Sequence, residues 1–155
     1  MTHPRDKSRV FMDAAKVLAT LGTCDRKRVG AVIIREGRCI SWGYNGAPPG
    51  LPHCDENGHG WTGRPGLVSR DPSQQWLEEK GCRNATHAEA NALAAAARQG
   101  ISTDGAELFV TVSPCATCSR LLVAAGISKV WYNELYRDAQ PLDLLAKAGV
   151  EIDSI

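Results

Sequence analysis

No apolar run in this 155-residue chain is long enough to cross a bilayer, and no block of like charges forms a tail. Eighteen Lys and Arg stand against seventeen Asp and Glu, for a formal net charge of +1. That balance excludes the strongly basic footprint of a protein that tracks phosphate backbones, so no nucleic-acid partner is expected. The opening Met1-Thr2-His3-Pro4-Arg5-Asp6 has no apolar core of the signal-peptide kind, and a cytoplasmic location with no membrane partner is expected. Repeats, low-complexity segments and linker-like stretches are missing too, so residues 1–155 are expected to form one domain with its own core. Cysteine, in contrast, is plentiful. Six cysteines in a cytoplasmic chain argue for metal binding or catalysis before disulfides.

The apolar pattern divides the chain into elements. Val10, Ala14, Val17, Leu18 and Leu21 recur at helical spacing over residues 7–21, with Gly22 as the stop. Residues 29–34 read as a strand, Glu36-Gly37 as a turn, and 39–44 as its hairpin partner. Residues 45–82 are rich in Gly, Pro, Asp and His, with one short helical stretch over 73–80. A connection this long is usually functional or tied down. An Ala-rich helix over 87–99 ends at Gly100, and a strand over 107–112 leads to a helix over 115–125 that ends at Gly126. A strand over 129–133, a helix over 141–148 and a short strand over 150–152 follow. One hairpin and then strand–helix–strand–helix–strand predicts an α/β fold, with a mixed five-stranded sheet between helices on both faces as a three-layer α/β/α arrangement.

Two short stretches concentrate the chemistry: Thr86-His87-Ala88-Glu89 and Pro114-Cys115-Ala116-Thr117-Cys118, each at a predicted helix start. Zinc takes imidazole nitrogen and thiolate sulfur in a tetrahedron, and a catalytic site keeps the fourth position open for water. His87, Cys115 and Cys118 are three such ligands, and two thiolates offset the charge of the metal while its water still ionises near neutrality. A carboxylate that is not a ligand must then move the proton, and Glu89 suits that catalytic role. Ser113 can cap the second helix and Pro114 fits its first turn, which places both thiols where the helix dipole favours thiolates. His87 and Glu89, two residues apart, cannot share a helix face. They converge only if the metal sits off the helix end, with Thr86 as the N-cap.

Each half has a plainer reading alone. Thr86-x-x-Glu89 is also a capping box. Cys-x-x-Cys after a strand is also the layout of a dithiol oxidoreductase. The three donors could also hold a metal that only staples the fold. Their conjunction at two helix starts on one rim of an α/β sheet favours a catalytic zinc, and His-x-Glu followed by Pro-Cys-x-x-Cys is the signature of zinc deaminases of nucleobases.

The chain resembles the deoxycytidylate (dCMP) deaminases of the cytidine deaminase-like superfamily. The resemblance rests on Cys24-Asp25-Arg26-Lys27-Arg28-Val29-Gly30-Ala31-Val32, on Gly43-Tyr44-Asn45-Gly46-Ala47-Pro48-Pro49-Gly50-Leu51-Pro52-His53-Cys54, on the two zinc stretches and on Ala125-Gly126-Ile127. It implies a zinc-dependent hydrolysis of dCMP to dUMP and ammonia, feeding thymidylate synthesis, in the cytoplasm of a cell or of a phage host. Alternatives in the same class are a 5-modified dCMP, dCTP or adenosine in RNA, the last disfavoured by the charge balance. The resemblance further implies that His87 and Ala88 border the substrate, that Asn45 meets a sugar hydroxyl, and that Arg26 lies near the phosphate. Ser113 would offer backbone to the exocyclic amine, and Tyr136 would close over the base. Similar enzymes form homo-oligomers, often hexamers, and many respond to dCTP and dTTP with Mg2+ at a loop that here contains Gly46, Pro48 and Gly50. Read as residues alone, Asn45 is equally a turn residue, and Arg26 and Arg28 are solvated loop charges. The insert over 58–81, with Trp61, Arg64, Arg70 and Trp76, departs from the family pattern.

Of the other cysteines, Cys39 alternates with apolar residues and is expected in the core. Cys24, Cys54 and Cys82 lie outside the regular elements, before the first strand and at the two ends of the long connection. A second, structural zinc on Cys24, Cys54, His59 and Cys82 would tie that connection down. His53 competes as the fourth ligand, and the alternative is three reduced loop thiols. Similar deaminases often carry a second zinc.

Overall fold

The computed structural model describes residues 6–24, 27–57, 84–137 and 139–155. In chain order they form α1 (Lys7–Ala19), β1 (Gly30–Arg35), β2 (Arg38–Tyr44), α2 (Cys54–Asn57), α3 (Ala88–Arg98), β3 (Glu107–Val112), α4 (Ala116–Ala124), β4 (Lys129–Glu134), α5 (Gln140–Lys147) and β5 (Glu151–Ser154). The strands make one sheet in the order β2-β1-β3-β4-β5. β1 runs antiparallel to both neighbours, whereas β3, β4 and β5 are mutually parallel, which gives the mixed sheet expected from one hairpin followed by two crossovers. The hairpin turns through Glu36 and Gly37 at φ of 53° and 73°, the geometry that favours a two-residue turn containing glycine. The short α2 has no counterpart in the sequence pattern, and the helical stretch over 73–80 lies outside the described residues.

Strand alternation sends side chains to two cores. Ala31, Ile33, Leu108, Val110 and Val130 face α3, α4 and α5, which contribute Ala88, Ala92, Leu122, Leu142 and Leu145. Val32, Ile34 and Phe109 face α1, which contributes Met12 and Ala15. The Ala-rich face of α3 sits almost directly on β2, and a Cβ on Gly43 would collide with the backbone of Ala88 and Ala92. That close approach sets the position of the helix carrying Glu89.

Two expectations are corrected. Much of the apolar stripe read on the first helix points away from the sheet: Val10, Val17 and Leu21 are 63%, 68% and 52% exposed, while Met12 and Ala15 are buried with Phe11 and Leu18 beside them. The helix carries two interleaved apolar stripes, and periodicity alone does not say which one meets the sheet. Cys39 is exposed rather than in the core. It lies on an edge strand, opposite a register shift between Ile33 and Ile34, and such an irregularity re-aims the side chains beside it.

Candidate active site

The site lies beyond the carboxyl end of β3, where an open α/β sheet leaves room for a ligand. β3 ends at Val112, Ser113 and Pro114 turn the chain, and α4 begins at Ala116. Cys115 is the N-cap, with extended backbone and its sulfur accepting from the Cys118 N–H at 3.5 Å. The expected Ser113 cap is therefore replaced. The Ser113 hydroxyl instead accepts from the Tyr136 N–H at 2.7 Å.

The other helix uses the same device. α3 begins at Ala88, and His87 is its N-cap, at φ −68° and ψ 152°, without a side-chain cap bond. Thr86, the expected cap, pairs with Gly46 through an isolated antiparallel bridge. Because His87 stands outside the helix and Glu89 inside its first turn, residues two apart border one cavity. The capping-box reading of Glu89 falls with the Thr86 cap.

His87 Nδ1 lies 3.4 Å from both Cys115 Sγ and Cys118 Sγ, and the three donor atoms all fall within 4.8 Å of one another. Zinc bonds of about 2.0–2.1 Å to nitrogen and about 2.3 Å to sulfur, at tetrahedral angles, separate N from S by about 3.5 Å. Donor type and spacing fit zinc. Crowding is also visible in the acid–base behaviour of the group. The Cys115 thiol is held down to about 3, first by its hydrogen bond with Cys118, against burial and with help from His87. The same contact and burial push Cys118 up, and Cys115 raises His87. Protons so divided among three donors are what a divalent cation displaces. Glu89 is 4% exposed, and burial pushes its carboxyl up.

The adjoining cavity, of about 160 Å³, is lined by His87, Ala88 and Glu89, by Val29 and Asn45, and by Val112, Ser113 and Tyr136. Cys24 lines it as well, a position not foreseen for it. Lys27 and Arg137, both exposed, bring positive charge to the rim, and Lys27 Nζ pairs with Glu134 Oε2 at 2.5 Å. Sequence reading passed over these two cations. Lys27 is the middle of three consecutive basic residues, and only loop geometry says which of them turns inward. Arg28 is exposed and does not line the cavity. Arg26 lies outside the described residues, as do His59 and Cys82 of the expected second metal group. Cys24 and Cys54 are buried. Gly46, Pro48 and Gly50 do not line the cavity, although Gly46 adjoins it through Asn45. Among the described residues, His87, Cys115 and Cys118 are the only such group of donors that could hold a metal.

The family model of the cytidine and deoxycytidylate deaminase zinc-binding region matches residues 5–134. A deoxycytidylate deaminase of Enterobacteria phage T2 is 34% identical over 96% of this chain and 92% of its own. That of Mycobacterium phage D29 is 38% identical over 85% of this chain and 97% of its own. The crystal structure of the cyanophage S-TIM5 dCMP deaminase in complex with dCMP and dUMP is similar with a TM-score of 0.78, at 32% identity and complete coverage of both chains. Strand order, donor triangle and family match agree over most of the length, and the chain belongs to the cytidine and deoxycytidylate deaminase zinc-binding family.

Proposed function

We propose that this protein hydrolyses dCMP to dUMP and ammonia. The observation that carries the reading is a buried carboxylate, Glu89, on the same cavity as a His–Cys–Cys donor triangle it does not join. Relatives named deoxycytidylate deaminase along nearly the whole chain support the choice of substrate.

Zinc held by His87, Cys115 and Cys118 would activate the attacking water as a Lewis acid. The remaining work belongs to the side chains. Glu89 takes a proton from the water and passes it to the ring nitrogen beside C4, then protonates the departing amine. A C4–O bond forms and the C4–N bond breaks, so the oxygen of water becomes the uracil carbonyl and the amine leaves as ammonia. A raised carboxyl pKa suits a group that must both accept and return a proton. Ser113 presents backbone toward the amine and, through its hydroxyl, holds the Tyr136 backbone beside the base. Lys27 and Arg137 are assigned to the 5′-phosphate, with Arg26 joining them on the strength of the family resemblance. A panel of dCMP, 5-methyl-dCMP, dCTP, deoxycytidine and adenosine-containing RNA, read by ammonia release, tests the reading. dCMP is expected to be preferred, and inactivity on every cytosine nucleotide would overturn it.

The same reading extends to assembly and control. A homo-oligomer, hexameric by family resemblance, is supported by the open stripe of Val10, Val17 and Leu21 on α1. Control by dCTP and dTTP with Mg2+ at Gly46, Pro48 and Gly50 is supported by the backbone bridge from Gly46 to Thr86, one residue from His87. A cytoplasmic location accords with the near-neutral charge and with the finding that no described helix is long and apolar enough to cross a membrane. A structural zinc on Cys24, Cys54, Cys82 and either His59 or His53 is supported by the burial of Cys24 and Cys54.

A further inference from the structure

One ion pair, Lys27 with Glu134, links two of the segments that build the cavity. Lys27 comes from the loop between α1 and β1, where Cys24 and Val29 also line the cavity. Glu134 ends β4, two residues before Tyr136 and close to the turn of Ser113. Ser113 holds this second segment twice. Its N–H donates to the Glu134 carbonyl at 2.8 Å, and its hydroxyl accepts from the Tyr136 N–H at 2.7 Å. The Glu134 backbone thus extends the β3–β4 ladder past Val112 and is anchored next to Cys115. Lys27 reaches it with a long, flexible side chain, Nζ to Oε2 at 2.5 Å, and both side chains are more than half exposed.

Lys27 lines the cavity and Glu134 does not. The ammonium that faces a ligand is therefore already engaged by a carboxylate at the end of β4. A phosphate in the cavity competes for that ammonium, and two anions drawn to one cation repel each other. The chemistry gives such competition a use. Deamination changes the base at C4 and leaves the 5′-phosphate as it was. A phosphate contact is made equally with substrate, transition state and product, so strengthening it lowers KM and slows product departure together. We infer that Glu134 is a positioning residue acting through Lys27. In the empty cavity it holds the ammonium at the end of β4, a phosphate must draw the ammonium off, and Glu134 reclaims it as product leaves. Glu134 thereby weakens the hold on a 5′-phosphate and narrows the advantage of nucleotide over nucleoside. The inference rests on the dCMP reading for the carrier of the phosphate, but the ion pair does not.

Zinc-loaded wild type, Glu134→Gln, Lys27→Met and the double variant are compared on dCMP and deoxycytidine, and for binding of dUMP, which needs no turnover. An exposed ion pair of this kind corresponds to about two- to fivefold in an equilibrium constant. Glu134→Gln should lower KM for dCMP and Kd for dUMP by that factor, with no such gain on deoxycytidine. In the Lys27→Met background most of the gain should disappear. A KM that rises instead would mean that Glu134 presents Lys27 to the phosphate, and an unchanged KM that the pair is incidental. Either result overturns the inference, as does an equal gain on deoxycytidine or a gain that persists in full without Lys27. Zinc content and Tm verify that each variant is folded. Titration with inorganic phosphate, followed through the backbone amide signals of Lys27 and Tyr136, does not depend on the base. Its midpoint should fall by the same factor in Glu134→Gln, and an unmoved midpoint would sink the inference whatever the substrate. Failure of the substrate reading shows itself separately, as a wild type inactive on dCMP.

Discussion

Gly46 and Thr86 exchange both of their backbone hydrogen bonds, Gly46 N–H to Thr86 carbonyl at 3.1 Å and Thr86 N–H to Gly46 carbonyl at 2.8 Å. This bridge joins the segment after β2 to the residue before His87, so the loop of Gly46, Pro48 and Gly50 and the zinc donor share a backbone support. The helix begins at Ala88, so His87 rather than Thr86 takes the N-cap position, with its ring directed to the two sulfurs.

Gly46→Ala should disturb that support. A Cβ at Gly46 would lie 2.6 Å from Thr23 Oγ1, a buried hydroxyl with no hydrogen-bond partner among the described residues. Overpacking of this kind costs about 1–3 kcal/mol. Thermal unfolding should show the loss, and zinc should leave faster during challenge with a chelator. Unchanged values in both measurements would make the bridge incidental to the metal site.

Glu89→Gln keeps the volume and removes the proton carrier. Turnover of dCMP should fall by about 10²–10⁴-fold, the range for losing a general acid–base, while zinc content is retained. Unchanged turnover would favour a metal that only staples the fold. Thiol titration after purification in air addresses the dithiol alternative, which requires Cys115 and Cys118 to cycle through a disulfide rather than stay reduced on zinc.

The donor set was legible in the sequence because zinc chemistry restricts which residue types can serve and because each half stands at a helix start. The sheet was legible for a similar reason, since short apolar runs are set off by turns with Gly37, Gly46, Gly105, Gly126 and Gly149. The capping residues were not. Thr86 and Ser113 have the right side chains, yet His87 and Cys115 occupy those positions, and their extended backbone sets both donors beside Cys118 in the first turn of α4. The facing of α1 was hidden by its two apolar stripes, and the exposure of Cys39 by an irregular edge strand. Lys27 rather than Arg28 lines the cavity, on a loop whose Lys27 carbonyl accepts from the Asn45 amide, a contact between residues 18 apart in sequence that no local pattern encodes.

A phosphate requirement follows from the cationic rim. Deoxycytidine should be a far poorer substrate than dCMP, and Lys27→Met or Arg137→Met should narrow the gap. A charge-assisted contact contributes about 1.5–3 kcal/mol, or roughly one to two powers of ten in kcat/KM. Equal efficiency on nucleoside and nucleotide would remove both cations from the site.

At the far edge of the sheet, Lys129 Nζ lies 2.7 Å from Asp153 and 3.4 Å from Glu151, over the ring of Trp131. Asp153 first, with help from Glu151, holds the ammonium pKa above its ordinary value. A raised pKa in the folded state means the protonated form is favoured by folding. Its contribution is complete below the unfolded pKa of about 10.4 and fades as pH rises through the higher folded value. The Tm difference between wild type and Lys129→Met should therefore stay level from neutrality to about pH 10 and close above it. The exposure of both acidic partners keeps that difference small. A gap that persisted unchanged at strongly alkaline pH would assign the effect to packing on Trp131 instead.

The second zinc can be tested by stoichiometry. Cys24 lies between α1 and β1, Cys54 opens α2, and both are buried although neither belongs to the sheet or to a long helix. Beside Cys54, His53 Nδ1 is buried with no hydrogen-bond partner among the described residues. Among the described residues His53 does not join Cys24 and Cys54 in a group of three donors, which leaves His59 as the imidazole donor and His53 as its competitor. Three thiolates with one imidazole make a closed structural site, and metal bound there would hold the start of the long connection against the loop after α1. Metal analysis of the zinc-replete protein should give about two ions per chain by this count of two complete donor sets. Cys54→Ser and His59→Ala should each lower it to one while the His87, Cys115 and Cys118 group keeps its ion, and His53→Ala should leave it at two. A single zinc in the fully loaded wild type would leave Cys24 and Cys54 as reduced thiols, and loss of zinc in His53→Ala but not His59→Ala would make His53 the imidazole donor instead.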